Sequence, residues 1–267
     1  FLGTTIPANT DAVTALRLAL DAIFAHVNVA PFVSRQLIQR LVTSNPSPAY
    51  VARVAAVFGN DGSGVKGNLK AVVKAILLDD DARSATVAAS ASAGKLREPM
   101  LRFAAWARGW NAQSASNAWA IGNTSDPAAR LGQSPLRSPS VFNFFRPGYV
   151  PPNSAIASAG LVAPEFQLNN ESSVVGVVNY LQRAVSGVGV GDVLANYAPL
   201  LALADDSAAL VAEINLVLAA GQLATATATT IAGAVATLPT GTDALRLKRI
   251  YAALTLCVAA PDYVVLK

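Results

Sequence analysis

Apolar residues recur at the three- and four-residue spacing of a helix face through most of this chain, and apolar–polar alternation nowhere extends beyond about four residues. Bounded repeatedly by Gly and Pro, that periodicity predicts an all-α fold built by packing helix on helix. Val13, Leu16, Leu20, Ile23, Phe24 and Val27 share one face of a helix over Asp11 to Val27, with Asn9 or Thr10 placed to cap it. Pro31 suits the first turn of a second helix, striped by Phe32, Leu37, Ile38, Leu41 and Val42 and stopping near Thr43. Ser47 ahead of Pro48 opens a third helix that runs to Phe58 and stops at Gly59. Leu69, Val72, Val73, Ile76 and Leu77 mark a fourth, ending at Asp79-Asp80-Asp81.

The turn from Gly59 to Asn68 lacks the Gly-Lys-Ser/Thr ending of a phosphate loop, and its one carboxylate, Asp61, cannot furnish a calcium loop. It reads as a plain connection. After a small-residue linker, Ser84 to Gly94, a helix is expected from Lys95 to Trp110, with Pro99 tolerated near its start. Residues 111–167, rich in Pro, Ser, Asn and Gly, form an irregular ordered loop too long for a compact domain unless it carries function or wraps a partner surface. Helices are expected again over Glu171 to Val185, Asp205 to Ala220, Leu223 to Leu238 and Thr242 to Ala259. The expected organisation is a helical body over residues 1–204, including loop 111–167, and a C-terminal three-helix unit over 205–267.

Hydrophobic residues make up 53% of the 267 positions and charged residues 13%, with a mean hydropathy of +0.42. Those figures raise the question of a membrane, but much of the apolar content is alanine. The best apolar stretches, Tyr251 to Ala260 and Leu216 to Ala220, fall well short of the roughly 18 residues a span needs, so none is expected. Twenty basic against 16 acidic residues give a net charge of +4, scattered too thinly for nucleic-acid binding. The single Cys257 permits no internal disulfide and suits a small buried hydrophobe. One histidine and dispersed carboxylates match no metal-ligand pattern, and no cofactor is expected.

Six segments, in order, carry a resemblance. They are His26-Val27-Asn28-Val29-Ala30-Pro31-Phe32 with the stretch from Leu37 to Val51, Leu69 to Asp79, Gly94 to Pro99, Arg137 to Phe144, and Pro261 to Val265. Together they resemble the bacterial family known as domain of unknown function 1800. The resemblance implies a helical fold and an extracytoplasmic setting, periplasmic or secreted. It also implies members about twice this length, with a secretion signal and a further helical half upstream. This chain is accordingly read as a C-terminal half, beginning abruptly at Phe1-Leu2-Gly3, and its expected partner is the missing N-terminal half of the same precursor. Where the family reads His-Pro-Asn, this chain has His26-Val27-Asn28, so no role of a rigid proline transfers there. The family brings no activity with it.

The residues themselves offer few candidates for chemistry. His26, the only histidine, sits near a helix end, where the dipole favours an imidazolium and a terminal carbonyl can accept from it. As a catalytic base it has no partner assignable from sequence. Between Lys95 and Tyr149 arginines interleave with all three tryptophans. Arg97, Trp106, Trp110, Arg137, Arg146 and Tyr149 are the candidate lining of a cleft for an anionic or carbohydrate ligand, since aromatic faces stack on sugars and guanidinium forks bind anions. The competing account makes the aromatics pegs, with Phe142, Phe144 and Phe145 anchoring the loop and arginines bonding its carbonyls. Glu98 and Glu165 are candidate catalytic carboxylates of a glycosidase-like pair. Three functions remain open: a module that binds or processes a polysaccharide or other anionic ligand, a noncatalytic structural partner of another extracytoplasmic protein, and half of an enzyme completed by the missing segment. The second calls for a large exposed apolar patch.

Overall fold

The computed structural model describes every residue from Phe1 to Lys267. It contains fourteen α-helices, one 3₁₀ helix and strands of only two residues, the all-α architecture expected from the periodicity. The chain forms two compact units, Phe1–Lys95 with Lys267, and Leu96–Leu266.

The first unit holds α1 (Ala12–Ala25), α2 (Val29–Leu41), α3 (Pro48–Gly59) and α4 (Leu69–Leu78). Asp11, rather than Asn9 or Thr10, caps α1, accepting the N–H groups of Val13 at 3.1 Å and Thr14 at 3.0 Å. Ser47 caps α3 by accepting the N–H of Tyr50 at 3.0 Å, and Pro48 follows where a missing N–H costs nothing. The stripes of α2, α3 and α4 close on one another around Ile38, Tyr50, Val54, Phe58, Val72 and Ile76. The Tyr50 hydroxyl, sealed in that core, donates to the Ile76 carbonyl at 2.7 Å. The glycine-rich turn is a connection, as expected. Asp61 accepts from the Asn68 amide and the Ser63 hydroxyl, both at 2.7 Å, and these bonds hold its carboxyl well below the usual carboxylate range.

The second unit holds α5 (Pro99–Gly109), α6 (Glu171–Val185), α7 (Ser207–Ala219), α8 (Thr225–Ala236) and α9 (Asp243–Ala259). The helix expected from Lys95 begins instead at Pro99. Proline disfavours helical geometry in the residue before it, and Glu98 is extended at φ −58°, ψ 144°. Helix α9 packs against α6, α7 and α8, and one core runs from Phe103 and Trp106 through Leu210 and Ile214 to Cys257 and Tyr263. The junction of 204 and 205 lies inside this unit, with Ala204 and Leu210 both fully buried. Cys257 is buried as anticipated, and burial pushes its thiol up to about 12.

Loop 111–167 is irregular apart from the two-residue strand Gln113–Ser114, the single turn Ala155–Ser158 and the 3₁₀ helix Pro164–Leu168. Leu131 and Phe145 peg it into the unit. Gly176 of α6 lets the Pro127 carbonyl and the Ala128 backbone lie where a β-carbon would stand. Arg183 donates to the Ala129 carbonyl at 2.7 Å, and Asp192 accepts the N–H of Ser116 at 2.7 Å and the hydroxyl of Ser114 at 2.9 Å. No single helix in the chain is long and apolar enough to cross a membrane.

Candidate functional site

Helix α1 forms as its sequence dictates and then fails to bury itself. None of its residues is buried. The stripe of Val13, Leu16, Leu20, Ile23, Phe24 and Val27 ranges from 41% exposed at Phe24 to 82% at Val27. The helix is tethered at its C-terminal end. The Phe24 ring tilts against Phe58 with centroids 5.9 Å apart, while the Lys66 ammonium donates to the Phe24 carbonyl at 2.6 Å and stands 4.9 Å over its ring. Gly67, at φ 77°, closes on the same ring, leaving no room for a side chain. The rest of the face, and Phe32 at the start of α2, remains open.

His26 caps α1 at its C-terminus, in the structural place expected, but by a different bond. Its Nδ1 accepts the Asn28 N–H at 3.2 Å instead of the ring donating to a helix carbonyl. That bond turns the chain from α1 into α2.

In the second unit the candidate cleft residues do not converge. Trp106 is fully buried and Trp110 only 5% exposed. Phe103 packs against Trp106, and Tyr197 against Trp110. Both indoles are therefore core pegs with no face left for a sugar, which corrects the cleft reading at these two positions. Arg137 is exposed on the loop. Arg146 is exposed too, its guanidinium 5.7 Å from the Phe142 ring centroid, and its N–H donates to Gln167 at 2.9 Å. Tyr149 is half-buried, and its carbonyl accepts the Ala163 N–H at 2.8 Å. Of the three phenylalanines expected as pegs, only Phe145 is buried, whereas Phe142 is 57% exposed. Glu98 accepts from the Gln133 side-chain amide, whose oxygen accepts the Met100 N–H at 3.0 Å. That tie pins the loop to the first turn of α5 and engages Glu98 structurally. Glu165 is buried in the 3₁₀ helix. No group of three or more His, Cys, Asp or Glu side chains converges on a metal site.

Two residues that the sequence reading passed over stand out here. Arg102, on the inward face of α5, is 3% exposed, and Tyr263, in the closing Pro261-Asp262-Tyr263 word, is fully buried. Arg97 joins them, its guanidinium carbon 4.6 Å from the Tyr263 ring centroid. The available signal was spacing, since Arg102 falls three residues after Pro99 and four before Trp106, both of which face inward.

A comparison with known families finds one whose pattern matches residues 1–265, described as a protein of unknown function, DUF1800. No curated protein and no solved structure matches the chain.

Proposed function

The chain belongs to the DUF1800 family of unknown function, and on that premise we propose that it is a noncatalytic docking module whose α1 face is covered by an amphipathic helix from the upstream half of the same precursor, in an extracytoplasmic setting. The observation that carries this reading is a fourteen-residue helix with a continuous apolar stripe and no buried residue. Half-exposed side chains of this size forgo roughly 1 kcal/mol each, so the five on this helix leave about 5 kcal/mol of burial unused. That is comparable to the whole stability of a small domain, which makes an uncovered stripe costly unless a partner uses it. The occupant to which the family resemblance points is the upstream helical half of the precursor, and the extracytoplasmic setting rests on the same resemblance.

The polysaccharide reading has less support, because its two central indoles are core residues. The enzymatic reading has less still, with His26 and Glu98 both engaged in structural bonds. Thiol labelling tests the docking proposal, since the native Cys257 is buried and unreactive. A Val27→Cys thiol should label rapidly in this chain alone and roughly tenfold or more slowly in the full-length precursor. Equal rates would remove the upstream half as occupant, and recovery of the precursor in the cytosol would remove the setting.

A further inference from the structure

Arg102 points to a second binding site, in the other unit. It lies on the core side of α5 with Pro99, Phe103 and Trp106, yet it forms no ion pair, and the only ionisable group that perturbs it is Tyr263. Burial lowers its pKa to about 10, which leaves it charged at neutral pH. A buried cation with no counter-charge is among the costliest things a core can hold. Arg249 shows the ordinary solution. It is equally enclosed and its Nε is likewise unbonded, but its Nη1 donates to the Leu238 carbonyl at 3.2 Å and it lies in the field of Asp205.

The Arg97 N–H bonds the Val264 carbonyl at 2.7 Å, which holds the Arg97 guanidinium over the Tyr263 ring. The Nε atoms of Arg97 and Arg102 and the hydroxyl of Tyr263 are sealed from solvent and make no hydrogen bond. Both guanidinium charges act on the same phenol, whose hydroxyl burial pushes up and the two arginines pull back. Arg97 is only partly buried and marks the open side of the group. We propose that Arg97, Arg102 and Tyr263 form a binding site for a small oxyanion, a carboxylate or a phosphate-type group, which supplies the missing negative charge and accepts from the unpaired donors.

The test is thermal unfolding of the full chain in chloride buffer at fixed ionic strength, titrated separately with sodium phosphate and sodium acetate. The midpoint should rise with at least one of them, phosphate alone indicating a tetrahedral ligand and acetate a carboxylate. Arg102→Met should abolish the response while unfolding, in chloride alone, no earlier than the parent, because it removes an uncompensated charge. Arg97→Met, at a partly exposed position, should weaken apparent anion affinity roughly tenfold or more and serves if the Arg102 variant does not fold. A midpoint insensitive to both anions overturns the proposal, as does a response that survives in the arginine variants.

Discussion

Trp106 donates its indole N–H to the hydroxyl of Tyr197 at 2.8 Å, and that hydroxyl donates in turn to the Val185 carbonyl at 3.0 Å. One oxygen thereby satisfies two buried groups, joining α5 to the end of α6. Tyr197→Phe orphans both, at roughly 1–3 kcal/mol each, so a clear loss of stability is expected in denaturant titration. Tyr180 provides the contrast. Its hydroxyl is sealed and unbonded, so Tyr180→Phe should leave stability unchanged or raise it. Equal losses in the two variants would refute the distinction.

The close approach at Gly176 sets a second expectation. Gly176→Ala drives a methyl group into the backbone of Pro127 and Ala128. Backbone cannot swing aside as a side-chain tip does, so a cost of about 1–3 kcal/mol or more is expected, with faster proteolysis of loop 111–167. Gly148→Ala, which meets nothing, is the control.

Stability should respond to the two apolar faces of the first unit to very different degrees. Leu20→Glu alters a side chain that is 54% exposed and should change unfolding by no more than about 0.5 kcal/mol. Ile38→Ala removes fully buried volume and should cost about 2–5 kcal/mol. A Leu20→Glu loss as large as that of Ile38→Ala would mean that the α1 face is core after all.

Acid should loosen the junction around Asp192. Hydrogen bonds from Ser116 and Ser114 hold its carboxyl at about 2, below the ordinary 3.8. A depressed folded-state value means that the contribution is fully present above 3.8 and is lost as pH falls toward about 2. Asp192→Asn should therefore flatten the decline of the unfolding midpoint across that window, and an unchanged slope would show that other carboxylates govern it.

Much of the fold was legible because helix periodicity and caps are local. Ser47-Pro48 and the run Glu171 to Val185 specified their helices almost to the residue. Pro99 shows where local signals compete, its backbone restriction delaying the helix that the apolar spacing would have begun at Lys95. The site was less legible, because burial is decided by what lies opposite. Helix α1 carries the pattern of a core helix yet meets its unit only at its C-terminal end, while Arg102 carries the chemistry of a surface residue and lies inside. Trp106 and Trp110 are likewise indistinguishable in sequence from a ligand platform until Phe103 and Tyr197 are found against their rings.

Cys257 gives the molecule an internal clock. The thiol is enclosed among the side chains of one unit, and the other unit has no cysteine at all. Alkylation under native conditions can therefore proceed no faster than the second unit opens. The modified fraction would count its excursions while the first unit, with its uncovered helix, unfolds and refolds unrecorded.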